Sequence, residues 1–111
     1  MIDPALKKRW VAALRSGKYR QGKDCLHRMT AQGSKFCCLG VLADLAVGPG
    51  AWHESQNSPG VMAIKHPDGT ADRVLYGGRI GMTTVHRTGL VQMNDNGASF
   101  TKIADHIEAN L

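Results

Sequence analysis

Two adjacent cysteines, Cys37 and Cys38, open the otherwise aliphatic run Phe36-Cys37-Cys38-Leu39-Gly40-Val41-Leu42 and are the side chains best suited to covalent chemistry in this chain. The run sits where a strand pattern gives way to a helix pattern, and the free amides of a helix N-terminus lower the pKa of a thiol. Four histidines follow, His53, His66, His86 and His106, and Asn94 or Asp95 can orient one of them. A Cys–His–Asn/Asp nucleophile is therefore conceivable. Against it, cysteine is among the most buried residue types, and both neighbours of the pair are apolar. Core-filling thiols are the leading reading; a cysteine-dependent hydrolase using Cys37 or Cys38 is the alternative.

Other site chemistries find less support. Cys25 and the Cys37–Cys38 pair form no CxxC motif, and the histidines form no closely spaced pair, so no metal site is expected. In Asn94-Asp95-Asn96-Gly97, setting Gly97 at the sixth position of a calcium loop puts Gln92 first and Ile103 twelfth, which removes the acidic ligands. Asn94 and Asp95 are expected to bond nearby backbone or to line a polar pocket, with Gly97 turning the chain. The stretch from Ser99 resembles the first helix of a helix-turn-helix, yet too few residues follow it here for a recognition helix. No nucleotide-binding glycine motif appears, and no cofactor is expected.

Charge is distributed unevenly. Residues 1–35 hold nine Lys or Arg against two acids, a balance of +7 within a total of +5. Such a segment steers anionic partners. Lys18, Arg20 and Lys23, with the polar Gln21 between them and Asn94-Asp95 further on, are the candidate binding residues. Aromatic residues among the cations are few (Tyr19 and Phe36), which weakens a base-stacking platform, so nucleic acid is a poorly supported partner.

The elements that must position these residues are marked by their ends. Asp3 and Pro4 start a first helix that Gly17 stops, with Leu6, Trp10, Ala13 and Leu14 on one face. A strand over Cys25–Thr30, a turn at Ala31–Ser34 and a strand over Lys35–Cys37 make a first hairpin that brings Cys25 near the cysteine pair. A nearly all-apolar central helix runs from Cys38 to Gly48. Residues 48–60 read as a loop, the best candidate for mobility. A second hairpin spans Val61–Lys65 and Asp72–Tyr76 around His66-Pro67-Asp68-Gly69-Thr70. Met82–Leu90 is ambiguous, with a short helix favoured, and Ser99 caps a last helix carrying Phe100, Ile103, Ala104 and Ile107 on one stripe.

The expected architecture is α+β: a single compact domain over residues 1–111, with about three helices packed on a small antiparallel sheet built from hairpins. No run approaches the ~20 apolar residues of a membrane span. Met1-Ile2-Asp3-Pro4 leads straight into Lys7-Lys8-Arg9 with no secretory pattern, and three cysteines do not make a disulfide framework. A cytoplasmic protein with no membrane partner is expected.

Three segments, Trp10 through Gly22, Phe36 through Leu45, and Met93-Asn94-Asp95 with Ser99-Phe100 through Glu108, together resemble a family of small proteins encoded by phages and prophages. The likeness does not extend to residues 48–89. It implies a phage accessory protein in the bacterial cytoplasm, acting in counter-defence or host takeover, and carries over no catalytic residue. Such a setting favours a non-enzymatic binder of a host protein or of an anionic small molecule such as a nucleotide signal.

Overall fold

The structure, a computed structural model, describes residues 2–23, 26–48, 52–54, 62–65, 71–74 and 84–111. Its elements in chain order are α1 (Pro4–Arg15), β1 (Arg20–Gln21), β2 (His27–Thr30), β3 (Gly33–Phe36), α2 (Cys38–Val47), β4 (Trp52–Glu54), β5 (Met62–Lys65), β6 (Ala71–Val74), α3 (Thr84–Asp95) and α4 (Phe100–Asn110). The α+β class and the single compact domain hold, with a radius of gyration of 13.1 Å, about that of any folded chain of this length.

The helix ends follow from local chemistry. Asp3 accepts the Leu6 amide at 2.9 Å, Ser99 accepts the Lys102 amide at 3.3 Å, and Pro4 opens α1. In each case a side-chain oxygen satisfies an amide that has no partner in the helix. At the end of α3 the Ala98 amide donates to the Met93 carbonyl (3.0 Å) and the Gly97 amide to Asn94 (3.3 Å). Gly97 has φ 97°, the left-handed conformation this type of helix end requires.

Among the described residues four helices are present rather than about three. Of the stretch expected to be helical, the residues from Thr84 form α3, and the helix runs on through Asn94 and Asp95, because packing of Leu90 and Asn94 outweighs the local turn preference of the Asn-Asp pair. Both hairpins form. His27 pairs with Phe36 and Thr30 with Gly33, so the turn is Ala31–Gln32 and the second strand starts at Gly33, two residues earlier than expected. In the second, Met62 pairs with Val74 and Lys65 with Ala71; its connecting residues and Cys25 lie outside the described part.

Among the described residues two sheets replace the one expected. The first has the order β1-β3-β2, and β1 runs parallel to β3, so it is mixed. The second, β4-β5-β6, is antiparallel, and β4 lies inside the stretch expected to be loop. Apart from Gly48, the remainder of that loop is outside the described residues.

α2 is the central element. Cys38, Leu39, Val41, Leu42 and Ala43 are fully buried, packed with Trp10, Leu14, Leu26, Leu90, Ile103 and Ile107 from the surrounding segments. Each large apolar side chain so buried contributes about 1.5–3 kcal/mol. α1 and α4 are also joined at the surface, where Arg15 binds Asp105 (2.6 Å) and Glu108 (3.2 Å). All three side chains are exposed, so these ion pairs add little to stability.

Candidate functional site

The three segments singled out in the sequence meet at the Cys38 backbone. Cys37 occupies the N-cap of α2 without making a side-chain cap. Asn94 fills that role from α3: its Oδ1 accepts the Cys38 amide (3.2 Å) and also Gln21 Nε2 (3.1 Å). Its Nδ2 donates to the Gly22 carbonyl (2.7 Å) and to Asp95 Oδ1 (3.4 Å). Both donors and both lone pairs of the amide are thereby engaged, in a side chain with no exposure. Gln21 donates further to the Ala98 carbonyl (2.6 Å), and Trp10 Nε1 donates to the Cys38 carbonyl (2.9 Å). The fold brings Gln21, Asn94 and Asp95 together, and Gln21 and Asn94 turn their polar groups inward on the start of α2.

The cysteines are buried too. The Cys38 thiol points at the Leu90 carbonyl, 3.7 Å away. Burial foremost, with Cys37 beside it, pushes its pKa well up, and nearby backbone amides offset this only partly. The thiolate that a nucleophile needs is disfavoured there. We expect iodoacetamide at neutral pH to leave Cys37 and Cys38 unmodified in the native protein and to label both after denaturation. Labelling of either in the folded state would restore the hydrolase reading. Among the described residues no group of three or more His, Cys, Asp or Glu is placed to hold a metal.

A second polar centre went unnoticed in the sequence. Asp44, an acid within the apolar α2 run, is buried and accepts from Tyr19 Oη (2.8 Å) and Trp52 Nε1 (3.1 Å). Phe36 stands edge-on to Tyr19 at 5.1 Å and lies 4.8 Å from the His27 ring. Burial first, then the bond to Asp44, pushes the Tyr19 phenol up to about 12. A raised acid pKa means the folded state holds its proton more tightly. This stabilisation is complete below pH 10, the ordinary phenol value, and is lost as pH rises through about 12. Phenolate absorbance should show one tyrosine titrating late, and Tyr19→Phe should remove that band.

The outer face of the first sheet is of a different kind. Arg20 pairs with Lys35 across β1 and β3, and Lys35 pairs with Arg28 across β3 and β2. Residues paired across strands share a face, so Arg20, Lys35 and Arg28 form one row of cations. The next row, Gln21–Phe36–His27, faces the core side. Arg20 and Arg28 are exposed. Arg20 Nη1 donates to the Gln32 carbonyl (2.9 Å), which holds that guanidinium toward the hairpin turn. Lys18 and Lys23, both exposed, flank β1 on either side.

No acid whose side chain is described answers this row. Asp3 caps α1, Asp44 is buried, Asp95 accepts from Asn94, and Asp105 and Glu108 hold Arg15. Elsewhere the charges are mixed: a hollow of about 300 Å³ on α1 and α4 sets Lys7 and Lys8 beside Glu108. Like charges placed directly opposite destabilise a sheet, so the row is a local expense that an anionic partner would offset. Arg28 and Lys35 were not among the expected binding residues. The hairpin register could have linked those two, but the parallel pairing that adds Arg20 has no local signal.

The profile of a family described as a domain of unknown function (DUF8296) matches residues 2–62, more than half of the chain and the part that holds the whole cation row. No curated protein and no solved structure matches the chain.

Proposed function

The chain belongs to the DUF8296 family, and we propose that it is a phage or prophage accessory protein that acts by binding an anionic partner on the outer face of its first sheet. The observation that carries this reading is the cross-strand row Arg20–Lys35–Arg28, which no acid with a described side chain neutralises. Lys18, exposed just before β1, extends the positive field and speeds encounter with an anion. A host protein with an acidic surface and a small anion such as a nucleotide signal both satisfy that chemistry. Binding without turnover accords with the buried Cys38 thiol and with an Asn94 amide whose bonds are spent inside the fold.

Replacing Lys18, Arg20 and Lys23 together by glutamate tests it. None of the three side chains is buried, so circular dichroism and the melting temperature should stay close to those of the parent. Retention of a nucleotide panel and of polyglutamate should fall at least tenfold. Unchanged retention of every anion the parent binds would remove the basic face from the account.

A further inference from the structure

We infer that the partner held by this face is double-stranded nucleic acid, gripped through its phosphates without reading of its sequence. The inference rests on the anion-binding reading above and names its partner. In the sequence, scarcity of aromatic residues among the cations argued against nucleic acid, since single strands bind by base stacking. The structure turns that objection round. Phe36 meets Tyr19 edge-on and lies against the His27 ring on the core side of the sheet, so none of these three rings joins the cation row. Contact with a duplex backbone needs cations and no stacking platform.

The shape agrees. The row crosses three neighbouring strands about 4.8 Å apart and so spans about 10 Å of open sheet surface. Small-molecule sites are typically concave and wall their ligand in. A flat row fits an extended polyanion that lies across it. Two of the three cations are arginines, whose planar forks match phosphate oxygens. Arg20 is already oriented by the Gln32 carbonyl, so less side-chain freedom is lost on binding. The central Lys35 stands between the two guanidiniums in the same register row. No side chain on this row brings a hydrogen-bond acceptor or an apolar wedge for base edges, so no base is read.

The test uses the full chain with short DNA duplexes of two unrelated sequences, across salt from ~50 to ~200 mM. Each phosphate contact contributes about −0.9 to the log–log salt slope. Three contacts predict a slope of about −2.7, or about a 40-fold loss over that range. Both sequences should bind within about twofold of each other. Arg28→Gln and Lys35→Gln should each flatten the slope by about 0.9, and the triple variant that adds Arg20→Gln should flatten it nearly completely. These exposed or half-buried side chains can be exchanged with the melting temperature as a check on folding.

Polyglutamate and ATP are run beside the duplexes. If they bind, the triple variant loses them and the duplexes do not bind, the duplex inference falls while the anion-binding face stands. A preference of more than about tenfold for one duplex sequence overturns sequence-blind binding. If the triple variant binds every polyanion as the parent does, or the parent binds none, both readings fall.

Discussion

Replacing Gly40 by alanine is expected to remove about 3 kcal/mol or more of stability, read as a lower urea midpoint with an unchanged slope. Gly40 lies in the first turns of α2, where the chain at Leu26 crosses the helix. A Cβ built on Gly40 would fall on the Leu26 carbonyl oxygen and 2.8 Å from its carbonyl carbon. The obstructing atoms are backbone, so no flexible side-chain end can swing aside. The Leu26 carbonyl also accepts the Cys37 amide (3.2 Å), so moving it breaks the bond that locks the strand-to-helix junction. Leu26 is itself buried, and a shift would open the core on that side. For a domain whose total stability is about 5–15 kcal/mol, the loss is severe. A change within ~0.5 kcal/mol, the ordinary range for a surface substitution, would show that Leu26 does not cross α2 this closely.

Asn94→Ala is expected to have the second large effect, a loss of about 3–5 kcal/mol. The substitution strips the partner from the Cys38 amide, from the Gly22 carbonyl and from one bond of Gln21, all at a position with no access to water. A buried polar group left without its partner costs about 1–3 kcal/mol, much more than a typical hydrogen bond contributes. Combining Asn94→Ala with Gln21→Ala separates the shared part. Because the two amides bond each other, the double variant should be less destabilised than the sum of the singles, by about 0.5–3 kcal/mol. Strict additivity would mean that the amides do not act as a unit. A loss below ~1 kcal/mol for Asn94→Ala alone would mean that water or another group takes over the cap.

Trp10, Cys38 and Asn94 show how the conspicuous motifs of this chain are used. By residue type Cys38 and Asn94 are candidates for nucleophilic attack and ligand binding, while Trp10 lies on the apolar face of the first helix. In the fold Trp10 holds the Cys38 carbonyl and Asn94 the Cys38 amide, one on each side of the same residue. Their spacing along the chain carries no such message, since the contact depends on how α1 and α3 dock on α2. Asp44 was overlooked for the same reason: an acid among leucines and alanines is informative, but its partners Tyr19 and Trp52 come from different elements.

What the sequence by itself determined is the local structure. Asp3, Pro4, Gly17, Ser99 and the apolar stripes mark helix ends and faces, and the two hairpins lie close to where their turn residues put them. These features depend on interactions among residues a few positions apart, which the order of side chains encodes directly. Only the tertiary structure decided that α3 continues through Asp95, that Trp52–Glu54 is a strand, and that β1 lies parallel to β3. It also decided the candidate site. Arg20, Arg28 and Lys35 are spread along the chain, and only the sheet register makes them a row, because pairing across strands sets which side chains stand together on one face.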